Sequence, residues 1–168
     1  MKWMQLLRSS FRTSCESWLA SLRQRSLTAA KSKGSQDKPE IQGVNIGHHD
    51  ASHHGQDPAK LEQLALIEEA EIKVFGEFLE KLKASTEGDH TMLDRTAVFY
   101  SSNLGNSSSH DNHNLPILLA GGDFKHRGHI AFDRQNNTLL SNLFVRMIHH
   151  MGIEAKSFGA SSGVIGEV

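Results

Sequence analysis

The 168-residue chain has one cysteine, Cys15, so it can form neither an intramolecular disulfide nor a thiolate zinc cluster. It lacks any uninterrupted apolar run of about 18 residues, the length a spanning helix requires. It also lacks an excess of charge of one sign. Eighteen Lys and Arg face nineteen Asp and Glu, a formal net charge of −1. No global field therefore draws it to nucleic acid or an anionic surface, and neither a nucleic-acid partner nor a transmembrane segment is expected. What remains is a globular balance, 38% hydrophobic and 22% charged, of a length that suits one domain.

The residue in excess is histidine, eleven in all. Four fall within eight residues, His48, His49, His53 and His54, in "GHHDASHHGQDP". The others pair up as His110 and His113, His126 and His129, His149 and His150, with His90 apart. Neutral imidazole is a common ligand for borderline metals, so clustering points to a metal site. His49 and His53 stand four apart, and a helical turn would bring both rings to one face. Gly47 and Gly55 bracket the motif, and Ser52 is placed to orient a ring from behind. A solvated histidine-rich turn is the competing reading of the same residues.

Residues 1–40 form a basic, Ser-rich leader. Eight Lys and Arg face only Glu16, Asp37 and Glu40, and "KSKGSQDKP" is a linker by composition. Its composition fits an organelle transit peptide, without the apolar core of a secretory signal. A peripheral amphipathic helix over about residues 3–24 is the alternative. Residues 41–168 read as an α/β domain. Asp57-Pro58 is an N-cap followed by proline at the first helical position, and a broad apolar stripe predicts a long helix ending near Gly88. "RTAVFYSS" (95–102) and "LPILLAGG" (115–122) predict strands, the second buried on both faces. "IQGVNI" and "GHIAF" read as short further strands. A last helix is predicted from about Asn137 or Thr138 to Gly152. This alternation implies a mainly parallel sheet with covering helices. The loop "SSNLGNSSSHDNHN" would then leave the carboxyl end of a strand, where ligand sites of such sheets lie, and carries Asn103, Asn106, His110 and His113. His126 and His129, beside Lys125 and Arg127, read as a basic surface loop, and His149 and His150 as favourable charges at a helix C-terminus.

"HDASHH" (49–54) resembles the HXXSHH signature of a bacterial family of domains of unknown function. "SNLGNSSSHDNHNLPILLAGG" and "NTLLSNLFVRMIHHMGIEAKSFGASSG" resemble the carboxyl-terminal part of that family. More distantly, the order of motifs is similar to the carboxyl-terminal half of the alkaline-phosphatase-like metallo-hydrolases. The resemblance implies a metal site at His49, His53, His54 and His110, with Ser52, Asn103, Asn106 and His113 as neighbours, holding one divalent ion, zinc, manganese or iron. It implies an exported protein, although no signal peptide is visible in this chain. Where that superfamily has an Asp-His ligand pair, this chain has Asn103-Leu104. Leucine cannot coordinate and an amide oxygen is a weak neutral ligand, so one of two metal positions is altered. The superfamily's nucleophile belongs to a portion amino-terminal to the matched residues, and no residue here is assigned to it. The expectation is thus a degenerate or truncated metallo-hydrolase-like domain, or a non-catalytic structural domain or inactive fragment that associates with copies of itself through an exposed sheet edge.

Overall fold

The computed structural model describes residues 39–166 and 168. The predicted leader, apart from Pro39 and Glu40, lies outside the described residues. The described chain forms two compact units, 39–77 with 107–109, and 78–106 with 110–168.

In the first unit, Gly43 lies at φ +89° and lets the chain turn, with the amide of Val44 donating to Ile41 O at 3.1 Å. A single helical turn, α1 (His48–Ser52), follows. The long helix α2 (Pro58–Ala84) starts where the Asp57 carboxylate accepts from the Ala59 amide at 2.9 Å, as the predicted cap requires. Ala51 of α1 is 0% exposed and Ile67 of α2 is 1% exposed. With Leu64 they form the core, covered by Ile41, Val44 and Ile46. Burying Leu64 and Ile67 stabilises the unit by roughly 1.5–3 kcal/mol each. The predicted strand "IQGVNI" is absent. Those residues are a turn whose three apolar side chains serve as a lid on the core.

In the second unit α2 ends before Gly88, because Ser85 closes its last turn by donating its amide and its hydroxyl to Lys81 O. Gly88, at φ +62°, instead makes the turn of a small hairpin between β1 (Thr86–Glu87) and β2 (His90–Thr91). Asp94 and Thr91 lock the hairpin's exit reciprocally. Each accepts the other's amide, at 2.7 and 3.1 Å. Next come β3 (Ala97–Ser101) and β4 (Ile117–Gly121), paired from Ala97↔Gly121 to Ser101↔Ile117. Both sheets among the described residues are antiparallel and two-stranded, which corrects the expectation of a parallel sheet. The reason lies in the connection. A parallel pair needs a crossover, usually a helix, whereas residues 102–116 contain none and simply return the chain.

β4 is half-exposed rather than buried on both faces, with Ile117 at 38% and Leu118 at 44% exposure. "GHIAF" forms no strand. The last helix, α3 (Leu140–His150), buries Leu143 and Val145. Its Phe144 ring meets Phe99 of β3 edge-on at 5.3 Å and Phe158 at 5.8 Å. α3 stops as predicted at Gly152, φ +77°. The Gly152 amide donates to His149 O and the Ile153 amide to Ile148 O, a Schellman closure.

Candidate metal centre

The fold keeps two of the four clustered histidines together and gives the other two different partners. Ala51, fully buried, anchors α1 to the core and so fixes which way the turn faces. The His53 amide donates to His49 O at 3.1 Å, and the Ser52 hydroxyl donates to the same oxygen at 2.8 Å. This turn brings the His49 and His53 rings to a centroid separation of 4.5 Å, edge to face at 70°. The i, i+4 expectation for this pair therefore corresponds to an observed contact. Ser52 acts on the His49 carbonyl.

His54 has a different task. It is buried, at 9% exposure, and its Nδ1 accepts the Gln56 amide at 3.1 Å. A neutral imidazole that accepts at Nδ1 carries its proton on Nε2, so neither nitrogen offers a lone pair to an ion while this bond stands. The His54 carbonyl accepts from the Asp57 amide at 2.8 Å, just ahead of α2. Gly55 and Gln56, at φ +53° and +68°, make the bend between them. His48 points the other way along α2, its Nδ1 lying 3.9 Å from Glu71 Oε1.

Residues 107–109, which cluster with the first unit, tie the turn down from outside. The Ser107 hydroxyl donates to Ser52 O at 3.0 Å, and Ser108 Oγ accepts the Gly55 amide at 3.0 Å. Sequence reasoning saw the serine run only as loop composition. A contact across more than fifty residues leaves no local signal.

His110 belongs to the second unit, at φ +55°, a left-handed conformation that costs a non-glycine residue of order 1 kcal/mol. Asn106 and Asp111 close its loop by exchanging backbone bonds, Asn106 N to Asp111 O at 3.2 Å and the reverse at 3.0 Å. Gly105 must be glycine here, since a Cβ would overlap the carbonyl oxygen of His113. His113 Nδ1 meets Asp111 Oδ1 at 2.6 Å. The bonds from the His113 ring and then its amide hold the Asp111 carboxyl below the usual range. Asn103 is exposed at the start of this loop.

His126 Nε2 donates to Gly121 O at 3.1 Å. His150 stacks on Phe124 at 3.9 Å and donates from Nε2 to Gly122 O, and His149 Nε2 donates to Ala155 O at 2.6 Å. These three rings serve the fold. Among the described residues, no three His, Cys, Asp or Glu side chains gather as a metal-holding group. What the turn brings together is the pair of rings of His49 and His53.

No known protein family, curated protein or solved structure matches this chain. Among the described residues, no helix is long and apolar enough to cross a membrane.

Proposed function

We propose that this chain is a metal-binding domain of the HXXSHH type, a degenerate relative of the alkaline-phosphatase-like metallo-hydrolases, with His49 and His53 as its primary ligands. The observation that carries the reading is the 4.5 Å ring contact on a turn anchored by a fully buried alanine. Two imidazoles in contact on one turn support a shared ion, which zinc would bind at the usual Zn–N distance of about 2.0–2.1 Å. Imidazole nitrogen suits zinc and iron better than manganese, and a two-histidine start predicts an exchangeable ion. His54 holds the bend and enters the coordination only by giving up its bond to Gln56. His110 is the further ligand that the family resemblance implies.

The test is metal content per chain in protein purified without a histidine tag, for wild type and for His49→Ala, His53→Ala and His110→Ala. About one equivalent lost in both His49→Ala and His53→Ala supports the reading, and its loss in His110→Ala adds that residue. Hydrolysis of a nitrophenyl phosphate or sulfate that His53→Ala abolishes would extend it to catalysis. A second reading, a purely structural turn, is favoured by the Ser107 and Ser108 bonds, which hold the loop with no ion. A folded wild type that binds no added zinc would decide for it.

A further inference from the structure

We infer that a cleft along β4 in the second unit binds an amphiphilic anion, a molecule with one carboxylate or phosphate head on an apolar chain or ring. The cleft encloses about 970 Å³, the size of a small-ligand site. Ile117, Leu118 and Leu119 all line it. Successive strand residues point to opposite faces, so a cleft touching all three runs along the strand's open edge. Ile130, Phe132 and Leu139 line it as well. Ile117, Leu118, Ile130, Phe132 and Leu139 are each 38–45% exposed, five of the eleven large apolar side chains left open to water among the described residues. That concentration marks a binding surface rather than scattered exposure.

Charge decides the occupant. Arg127 and Arg134 line the cleft, and among the described residues no Asp or Glu side chain does. Two neighbouring acids are engaged elsewhere. Asp133 accepts the Gln135 and Asn136 amides, and Asp111 holds His113. Among the described residues neither arginine pairs with a carboxylate. A guanidinium fork matches carboxylate or phosphate oxygens two at a time, over an apolar floor suited to a hydrocarbon. A second copy pairing edge to edge would crowd both copies' arginines into one seam, so charge favours the small anion.

The test is calorimetric titration of the full chain, with chelator present, using decanoate and decyl phosphate below their micelle-forming concentrations. Decyltrimethylammonium and decanol serve as tail-matched controls. The expected result is one anion per chain, bound about tenfold or more tighter than either control. Arg127→Glu with Arg134→Glu, both exposed positions, should weaken it by about tenfold or more, and so should Leu118→Asp. Equal binding of the cationic and anionic tails would overturn the inference, as would no saturable binding of either anion. A dimer in sedimentation that Leu118→Asp dissociates would also overturn it, by showing the edge covered by a second copy. Because this site shares no residue with the histidine turn, failure of one reading leaves the other standing.

Discussion

Asn142 is the polar side chain on which the closing segment of the chain hangs. It is only 8% exposed, on α3 between Ser141 and Leu143. Its Oδ1 accepts the Ser162 amide at 2.9 Å and the Gly163 amide at 3.3 Å, and its Nδ2 donates to Ser162 Oγ at 3.3 Å. Its backbone oxygen also accepts from the Ile165 amide at 3.3 Å, which places Ile165 in the wall of the cleft. Asn142→Ala removes the three side-chain bonds. Taking about 1 kcal/mol for the short bond and about 0.5 for each long one gives a loss of about 2 kcal/mol. For a chain of this size, that lowers the melting temperature by about 4–8 °C. Asn142→Asp keeps the accepting oxygen and lets the Ser162 hydroxyl turn to donate. Charge-assisted bonds then offset part of the cost of burying the carboxylate. The aspartate variant should therefore retain more than half of the stability that alanine loses. Urea unfolding measures both losses, and amide hydrogen exchange reads Ser162 and Gly163 directly. If Asn142→Ala is neutral, or if the two variants are equally destabilised, the acceptor role assigned to Oδ1 is wrong.

Gly121→Ala should abolish soluble expression or markedly unfold the second unit. The residue sits at φ +67°, and a Cβ would overlap the carbonyl oxygen of Leu93 and crowd that of Thr96. Acid should remove a stabilising contribution from three hydrogen-bonded aspartates. The Thr91 hydroxyl and amide hold Asp94 below its usual range, the His113 ring and amide hold Asp111, and the Asn136 and Gln135 amides hold Asp133. A lowered folded pKa means the unfolded state binds more protons, so this stabilisation is present above about pH 4 and is lost as the pH falls below it. Asp94→Asn should flatten the acid limb of a stability-against-pH curve while leaving its slope near pH 7 unchanged.

The elements that were legible in advance are those with a signal inside a few residues. Asp57-Pro58 starts α2 because a carboxylate reaches an amide two residues on, and Gly152 ends α3 because only glycine takes φ +77° without strain. The His49–His53 spacing works the same way, since one helical turn is enough to bring the rings together. Gly88 misled, because a positive φ suits a hairpin turn as well as a helix end. The choice rested with Ser85 and with the Asp94–Thr91 lock. "IQGVNI" and "GHIAF" carry strand-like side chains, but strands need pairing partners, and no residue composition supplies those.

By itself, then, the chain's sequence determined where α2 begins and α3 ends, roughly which residues make β3 and β4, and that two imidazoles share one turn. These depend on bonds between near neighbours. Only the tertiary structure decided that β3 and β4 run antiparallel, that His54 turns inward to Gln56, that distant serines bind the histidine turn, and that two arginines line one cleft with apolar side chains. Each of these joins groups far apart in the chain or chooses among partners of equal local appeal. Packing settles such choices and periodicity does not.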